Sequence, residues 1–300
     1  MNTPGRSFVP HSRNGSAVIG IMGLGIVGDA AHHYFASRGD SLRLFDPYRG
    51  LGSDDAINEA DLIFVCVPTP YRPGVGFDST ALEDAVSRLR GSKVIVIKST
   101  VLPGTTEAYQ ARYSQHCFLF NPEFLREAHA REDFVEPDRQ MVGYTAQSRH
   151  LAESVMSLLP AAPYTQVTLA REAEMAKYMT NSFLALKVTF ANELYDLCTA
   201  LEIDYEIVRE AVAADARIGP SHLGVFDGGY RGYGGKCLPK DTKALLDLGE
   251  RLRVPLRLVR TADRVNASLL PPSDEPTTLR PLPASRDREA AELPADERAA

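Results

Sequence analysis

The chain has 300 residues, 44% of them hydrophobic, which is enough to form the core of two domains or of one large domain. Its formal net charge of −6, without any run of Lys and Arg, excludes a general nucleic-acid-binding protein. The four cysteines are scattered and include no Cys-x-x-Cys pair, so the sequence predicts neither a metal site nor a disulfide framework. We find no signal peptide and no apolar run that could span a bilayer, which indicates a reducing, cytoplasmic location.

Short apolar runs alternate with helical patterns in the first half of the chain. Residues 1–15 are polar and predict a disordered arm. We predict buried strands at Ala17–Met22, Leu42–Phe45, Leu62–Val67 and Val94–Ile97. Continuous apolar strands separated by helices are typical of a parallel sheet covered on both faces. Residues 16–165 are therefore expected to form an α/β, doubly wound domain of the Rossmann type.

The sequence changes character after Pro163. Neither Gly nor Pro occurs from Tyr164 to Ile218. Apolar residues recur at helical spacing there, namely Met175, Met179, Phe183, Leu186, Phe190 and Leu194. We predict one long helix over about 168–201, a second helix capped by Asp204, and a third over about 241–252.

These helices define the remaining predicted boundaries. Residues 166–268 are expected to form an all-α central domain. Residues 269–300 are rich in Pro, Ala, Glu, Asp and Arg, and they contain too few large apolar groups to offset the cost of ordering. We predict that this tail is disordered.

The segment from Gly23 to Gly28 has the pattern G-x-G-x-x-G between a predicted strand and a predicted helix. Gly23 permits a tight turn, Gly25 lets a pyrophosphate approach the backbone, and Gly28 lets helix and strand pack closely. Asp46 ends the second strand, where a carboxylate suits a ribose 2′-hydroxyl and repels a 2′-phosphate. NAD is favoured over NADP, although Arg49 lies nearby. The alternative is an ordinary glycine turn.

A single cysteine follows a glycine turn in the decapeptide Gly232–Asp241. Lys240 and Asp241 lie just beyond Cys237. A thiolate is the reactive form of cysteine, and a nearby cation favours it, so Cys237 is predicted to be a covalent catalyst. The alternative is a small buried hydrophobe, which is the interpretation adopted for the other cysteines. Those are Cys66, Cys117 and Cys198.

Several separated motifs together resemble the UDP-glucose/GDP-mannose 6-dehydrogenase family over roughly residues 17–268. Besides the glycine turn and the cysteine decapeptide, they are Val65–Pro70, Lys98–Val101, Asn121–Glu127, Lys177-x-x-x-Asn181 and Arg217–His222. The Arg217 stretch is most similar to bacterial UDP-glucose 6-dehydrogenases. The resemblance implies an NAD-binding Rossmann domain, a central helical dimerisation domain and a nucleotide-sugar-binding third domain. That third domain would have to follow Ala267, where only the polar tail remains.

The resemblance also implies an activity. The family oxidises the primary alcohol of a nucleotide-sugar to a carboxylate in two NAD-dependent steps, through a thiohemiacetal and a thioester on the cysteine. UDP-glucose, giving UDP-glucuronate for polysaccharide biosynthesis, is the first expectation. GDP-mannose and UDP-N-acetylhexosamines are alternatives within the family.

Catalytic roles transfer onto seven positions. Lys177 and Asn181 share one helix face at i, i+4, and the resemblance assigns them to a developing oxyanion; a solvated lysine is the alternative. Asp241 is expected to orient water or the lysine, or else to cap the following helix. Glu123 and Glu127 form a second i, i+4 pair if their segment is helical. Glu123 is then a candidate general base, and Glu127 is expected to order the hydrolytic water together with Thr100.

Binding roles follow from the same motifs. The expected cofactor residues are Gly23, Gly25, Ile26, Val27, Gly28, Asp46, Pro68, Thr69 and Thr100. The expected substrate residues are Phe124, Leu125, Arg126, Lys177, Asn181, Arg217, Tyr233 and Gly234. Arg217 resembles an arginine that reaches across a dimer, with a surface arginine as the alternative. A homodimer through the long helix is expected because that helix has more apolar surface than two flanking layers can cover. The glycines from Gly228 to Gly235 would let backbone N–H groups approach a diphosphate, or else form a flexible turn.

Two other hypotheses stay open at this point. A two-domain β-hydroxyacid dehydrogenase also combines a Rossmann domain with a Lys-x-x-x-Asn helix, but it needs no cysteine. A truncated remnant that binds NAD and dimerises without turnover would also fit the missing third domain.

Overall fold

The structure, a computed structural model, describes residues 18–226 and 229–270. The predicted arm over residues 1–15 and the predicted tail beyond residue 270 lie outside the described residues, and so does Gly228. None of the helices in the described ranges has the length and hydropathy that crossing a membrane requires. The same ranges contain no group of three or more His, Cys, Asp or Glu side chains arranged to bind a metal ion.

Seven strands form one sheet in the described part of the chain. In spatial order they are β2 (Ser41–Phe45), β1 (Val18–Met22), β3 (Leu62–Val65), β6 (Val94–Ile97), β7 (Cys117–Phe120), β8 (Arg139–Tyr144) and β9 (Tyr164–Leu169). Strands β4 (Tyr71–Arg72) and β5 (Gly76–Phe77) form a separate hairpin. All four predicted strands are present. Because β9 pairs with β8 through Leu169, the sheet extends past the predicted boundary at residue 165.

One pairing departs from the predicted parallel sheet. Strands β7 and β8 are antiparallel, with Leu119 opposite Tyr144 and Phe120 opposite Gly143, whereas the other pairs are parallel. An antiparallel neighbour needs only a chain reversal and no crossover helix. The chain therefore leaves the carboxyl end of β7, runs through residues 121–138 and returns. This excursion carries Glu123.

Both faces of the sheet are covered by helices. They are α1 (Ile26–Ser37), α2 (Asp54–Ile57), α3 (Thr80–Ser87), α4 (Thr105–Arg112), α5 (Ala130–Val135) and α6 (Ala152–Met156). Successive side chains of one strand enter opposite clusters: Ile63 packs with residues of α2, α3 and α4, while Phe64 packs with residues of α1, α5 and α6. Burial on both faces explains why these strands are apolar without alternation.

The helical part consists of α7 (Ala170–Ala200), α8 (Tyr205–Ala213), α9 (Leu238–Arg251) and α10 (Arg257–Leu269). The Asp204 carboxylate caps α8 by accepting the Glu206 N–H at 2.9 Å, as predicted. Helix α9 begins at Leu238, earlier than the predicted residue 241, with Cys237 as its N-cap. Pro239 fits there because the N–H groups of the first turn have no partner within the helix.

Glu174 joins the long helix to the sheet domain. It is fully buried on α7, and its carboxylate accepts the Gly104 N–H at 2.6 Å and the Thr106 N–H at 2.9 Å. The Thr106 hydroxyl donates a third hydrogen bond at 2.6 Å. Burial raises the pKa of Glu174, while these donors act in the opposite direction. The side chain therefore caps α4 from another element and fixes α7 against the sheet domain.

We expect Glu174→Ala to lower the free energy of unfolding by about 2–3 kcal/mol, because it leaves buried donors without an acceptor. Urea unfolding measures this. The matched control is Glu107→Ala, which breaks the ion pair that Glu107 forms with Arg171 of α7, at 2.7 Å and partly exposed. An exposed pair contributes less than about 1 kcal/mol. Equal losses in the two variants would contradict the assignment.

Candidate active site

The glycine turn between β1 and α1 has the geometry that a dinucleotide requires. Gly23 has φ +84°, and a Cβ there would lie 2.9 Å from the Cys66 carbonyl oxygen. A Cβ on Gly28 would overlap the Gly23 carbonyl oxygen, so only glycine lets helix and turn approach this closely. Gly25 faces open space and is the N-cap of α1 without a side-chain cap. The α1 N-terminus is thus accessible to an anion.

Asp46 follows β2 and is buried. One carboxylate oxygen accepts the Leu24 N–H at 2.8 Å, and the other accepts the Arg49 N–H at 3.2 Å. The side chain therefore holds the glycine turn at the edge of the sheet. Because a carboxylate has about four acceptor positions, Asp46 retains capacity for ribose hydroxyls.

The loops after β3 and β6 are tied together at the same edge of the sheet. The Thr69 hydroxyl donates to the Thr100 carbonyl oxygen at 2.7 Å, and the Ser99 hydroxyl donates to the Val67 carbonyl oxygen at 2.6 Å. The carboxyl edge of a parallel sheet is where doubly wound folds bind dinucleotides. With the exposed Pro68 in the same loop, these residues fit NAD.

Side chains from three elements converge in a second cluster, which we call the lysine–carboxylate cluster (Glu123, Lys177, Asn181, Lys240 and Asp241). The Lys177 ammonium lies 3.0 Å from the Glu123 carboxylate. The Asn181 amide donates to Asp241 Oδ2 at 2.6 Å, and the Lys240 ammonium lies 2.5 Å from Asp241 Oδ1. Lys177, Asn181 and Asp241 are buried, so the alternative of a solvated lysine is wrong. Asp241 lies inside the first turn of α9 and is not its N-cap.

The backbone around Glu123 does not have the helical conformation that would pair Glu123 with Glu127. The segment from Asn121 to Arg126 is not helical, and only a short 3-10 turn, Glu127–His129, follows it. Pro122 disfavours a helical Asn121, and Glu123 itself accepts the Leu125 N–H at 2.9 Å. Burial alone would raise the pKa of Glu123, but the charge of Lys177 and these hydrogen bonds lower it. Glu123 is therefore ionised, whereas Glu127 is exposed on the turn.

Cys237 lies next to the lysine–carboxylate cluster. The residue is exposed, yet the protein around it raises the pKa of its thiol by desolvation and then by the charge of Glu123. Lys177 and Lys240 act in the opposite direction. The nearby cations thus favour the thiolate, as predicted, but desolvation and the negative charges outweigh them and the pKa of the thiol is raised.

The remaining cysteines are less accessible. Cys66 and Cys198 are buried, and Cys117 is half-buried. Burial raises the pKa of the Cys66 thiol to about 12. Cys66 also connects the two sites: its Cβ would lie 3.3 Å from a Cβ on Gly28, and its thiol responds to the charges of Lys98 and Glu123. The glycine turn and the lysine–carboxylate cluster are therefore neighbours.

A cavity of about 490 Å³ lies against the Glu123 segment. Its lining includes Lys98, Glu123, Phe124, Leu125, Arg126, Arg139 and Ser221. Two cations lie over the Phe124 ring, the Arg139 guanidinium 3.7 Å and the Lys177 ammonium 5.5 Å from its centre. The exposed Arg126 is paired with Asp133 at 2.6 Å. The predicted substrate residues of this segment thus line one cavity.

The other predicted substrate residues belong to the helical part. Tyr233 is buried against Ala185 and Val188 of α7, and a Cβ on Gly234 would overlap the Tyr230 hydroxyl. The Arg217 side chain is 88% exposed and is paired with Asp215 at 2.6 Å. In this chain it points to solvent, so its predicted role across a dimer stays a prediction.

Two positions near the cysteine loop were not found from the sequence. Asn266 of α10 accepts the Tyr233 N–H at 2.6 Å and donates to the Tyr233 carbonyl oxygen at 2.9 Å. Arg231 pairs with Asp196 of α7 at 2.8 Å and donates to the Asn192 side chain at 3.0 Å. An isolated asparagine in an amphipathic helix gives no signal of such a contact. For Arg231, the only feature of the sequence that could have indicated this contact is its position between Gly229 and Gly232.

The fold and the site define a class of protein, the two-part Rossmann dehydrogenases. Their features here are a dinucleotide turn on a doubly wound sheet and a long helix that carries Lys177 and Asn181. Comparison with known proteins is more specific. The model of the UDP-glucose/GDP-mannose dehydrogenase family, NAD binding domain, matches residues 51–159, and that of the family's central domain matches residues 171–268. The chain belongs to the UDP-glucose/GDP-mannose dehydrogenase family.

Individual relatives agree with this assignment. The chain is 34% identical over 226 residues to UDP-glucose 6-dehydrogenase of Rhizobium meliloti, which covers 70% of this chain and 51% of that protein. The chain spans about half the length of the curated relatives it matches. The structure of a UDP-glucose dehydrogenase from Pyrobaculum islandicum has a TM-score of 0.73 and 30% identity, covering 89% of this chain and 70% of that one.

A solved structure with low sequence identity shares the fold. A Mycobacterium tuberculosis 3-hydroxyisobutyrate dehydrogenase has a TM-score of 0.66 at 18% identity, with coverage of 84% of this chain and 93% of that chain. This likeness shows the architecture alone. It explains why the two-part β-hydroxyacid dehydrogenases were an alternative on sequence grounds.

Proposed function

We propose that the protein catalyses the NAD-dependent, four-electron oxidation of UDP-glucose to UDP-glucuronate. The observation that carries the proposal is that Cys237 adjoins the lysine–carboxylate cluster, itself a neighbour of the glycine turn through Cys66. Similarity to UDP-glucose 6-dehydrogenases favours UDP-glucose. GDP-mannose and UDP-N-acetylhexosamines remain alternatives with the same chemistry.

The first oxidation needs groups that hold the sugar alcohol and accept its proton. Lys177 and Asn181 would hold the alcohol oxygen; Asn181 has a second amide hydrogen available because only one is needed by Asp241. Asp241 fixes that amide, and the ionised Glu123, which lies 3.0 Å from the Lys177 ammonium, would accept the alcohol proton. NAD, when bound in the Gly23–Gly28 turn, accepts a hydride in each of the two oxidations.

The second oxidation needs the cysteine. The Cys237 sulfur adds to the aldehyde carbon, and the thiol proton passes to the aldehyde oxygen, giving a thiohemiacetal. Loss of a hydride from its carbon to NAD, and of a proton from its hydroxyl to the Glu123 carboxylate, would give a thioester. Water then attacks the thioester carbon, and the carbon–sulfur bond breaks to release the carboxylic acid and regenerate the thiol. Lys177 and Asn181 stabilise the oxyanion in both additions.

The test is the yield of NADH from a panel of UDP-glucose, GDP-mannose and UDP-N-acetylglucosamine at limiting sugar. We expect two NADH per UDP-glucose and a uronate product identified by mass spectrometry. One NADH per sugar, with an aldehyde or ketone product, would contradict the proposal. Tight binding of NAD in calorimetry without any response to sugar would support an NAD-binding protein without turnover instead.

The proposed reaction assigns a role to each of the two parts of the chain and fits a cytoplasmic location. We propose that residues 18–169 bind NAD, that residues 170–269 supply Lys177, Asn181 and Asp241, and that the reaction takes place where the two parts meet. A cytoplasmic location fits the four free thiols.

We further propose that α7 forms a homodimer interface. An apolar stripe runs along it, with exposed fractions of 72% at Met179, 61% at Phe183 and 60% at Phe190. Exposed apolar surface of this extent is typical of interaction sites. We expect Met179→Glu to halve the mass measured by light scattering, and the matched control Leu258→Glu, exposed on α10, to leave it unchanged. A monomeric parent protein would refute the interface.

A further inference from the structure

Lys98 is a buried cation that the proposed chemistry leaves without a role. It directly follows β6 and is only 3% exposed. Its ammonium donates to Asn121 Oδ1 at 2.5 Å. The Asn121 amide group in turn donates to Gln140 Oε1 at 3.2 Å and to the Met141 carbonyl oxygen at 2.7 Å. Both amide hydrogens are thus occupied by β8, which directs the amide oxygen towards Lys98.

The cluster and Lys98 together carry one surplus positive charge. Lys177 is paired with Glu123, and Lys240 is paired with Asp241. Among the described residues, no carboxylate lies within 4.0 Å of the Lys98 ammonium. Three ammonium groups and two carboxylates balance only when one further anion is present. The Phe134 ring, 5.1 Å from the Lys98 ammonium, and the Asn121 amide stabilise the cation but do not neutralise it. A buried cation without a carboxylate partner is costly, so its presence at a candidate site indicates a use.

Lys98 acts on the cluster through Glu123: both residues line the cavity of about 490 Å³, and Asn121, which accepts the hydrogen bond from Lys98, begins the segment that carries Glu123. The charges of Lys177 and Lys98 both lower the pKa of Glu123. The groups that bear on Lys98 itself are Cys66, Glu123 and Lys177. Burial lowers the pKa of Lys98 to about 8, so the ammonium is mostly charged at neutral pH and loses its proton above pH 8.

We propose that Lys98 is a positioning residue that holds Glu123 as a carboxylate when Lys177 turns to the substrate, and that its surplus charge favours an anion at the cluster. The inference rests on the proposed function. In that function a thiolate or an oxyanion forms beside Lys177. When that negative charge develops, the three ammonium groups, the two carboxylates and the new anion sum to zero charge. Lys98 does not have to move for this to happen.

The fold offers a matched control at the other end of the same strand. Lys93 directly precedes β6, is also buried, and donates to the carbonyl oxygens of Asn58 at 2.7 Å and Ala60 at 2.8 Å. Burial lowers its pKa as well. Lys93→Met therefore removes a comparable buried ammonium group but leaves the cluster untouched.

The experiment compares the parent protein with Lys98→Met, Lys98→Arg and Lys93→Met. The first readout is the pH midpoint of Cys237 alkylation by iodoacetamide, followed by peptide mass spectrometry without any sugar. We expect Lys98→Met to raise this midpoint by about 0.5–1 pH unit, because Glu123 stays ionised beside Lys177 while the cluster loses the surplus positive charge that favours an anion. Lys98→Arg restores the parent midpoint, and Lys93→Met does not change it.

The second readout is turnover of UDP-glucose. We expect Lys98→Met to lower kcat about 10²-fold with KM changed less than about threefold. Lys98→Arg keeps its charge, so its kcat does not fall above pH 8 as that of the parent does. The comparison of the kcat–pH profiles of Lys98→Arg and the parent tests the role of Lys98 even if Lys98→Met fails to fold.

Two outcomes overturn the inference: an unchanged alkylation midpoint in folded Lys98→Met, or identical pH profiles for Lys98→Arg and the parent. The alkylation arm uses no sugar. A parent protein that oxidises no nucleotide-sugar would therefore defeat the proposed function alone, and the midpoint would still decide the role of Lys98.

Discussion

Cys237→Ser is expected to abolish the second NADH of the reaction and to slow formation of the uronate by at least about 10³-fold. A serine hydroxyl is far less acidic than a thiol, and each adjacent carboxylate is already paired with an ammonium group. The alcohol can still lose its first hydride without a nucleophile, so we expect at most one NADH per sugar. Stopped-flow absorbance of NADH, with trapping of the aldehyde by a hydrazine, measures both quantities.

The control for this variant is Cys117→Ser. Cys117 begins β7 and is half-buried, and burial raises the pKa of its thiol. It lies at the opposite end of that strand from the Glu123 segment, so turnover should stay within about twofold of the parent. If Cys237→Ser retained both NADH equivalents, the reaction would be a simple alcohol oxidation, as in the β-hydroxyacid dehydrogenases.

The glycine turn, the apolar strands and the long helix were predicted from the sequence, because each depends on residues that are close together in the chain. The glycine turn is specified by steric limits at Gly23 and Gly28, and those limits act within one strand–turn–helix unit. The apolar strands follow from burial on both faces of the sheet. The long helix follows from a stretch without Gly or Pro, and it spans Ala170–Ala200 as expected.

Features that depend on contacts between distant residues were missed. The sequence of β8 does not reveal that it runs antiparallel to β7, because strands of both senses can be equally apolar. The Lys98–Asn121 and Asn266–Tyr233 hydrogen bonds also join different elements.

The thiol pKa of Cys237 shows the same limitation in energetic terms. In the sequence, Lys240 is a cation three positions from Cys237, and its charge favours the thiolate. In the fold, desolvation and the distant Glu123 act against it and prevail. The sign of a pKa shift depends on every charge that packs around the group, so a neighbour in sequence cannot determine it.

The second large effect is expected for Lys177→Met. Lys177 is the proposed donor to the oxyanion, and loss of one such donor lowers kcat about 10²–10³-fold. It also leaves Glu123 buried without its partner, which costs about 3–5 kcal/mol of folding free energy. Since the charge of Lys177 lowers the pKa of Glu123, its loss raises that pKa. Stability of the variant should therefore be regained as the pH falls and Glu123 takes up a proton.

A double variant separates the two roles of Lys177. In Lys177→Met/Glu123→Gln no buried charge is left unpaired, so urea unfolding should recover most of the lost stability while kcat remains low. Lys187→Met is the control, because Lys187 lies on the same helix but donates to the Ile218 carbonyl oxygen at 3.0 Å, away from the cluster. Recovery of turnover together with stability in the double variant would mean that Lys177 only maintains the fold, and the oxyanion would then need another donor.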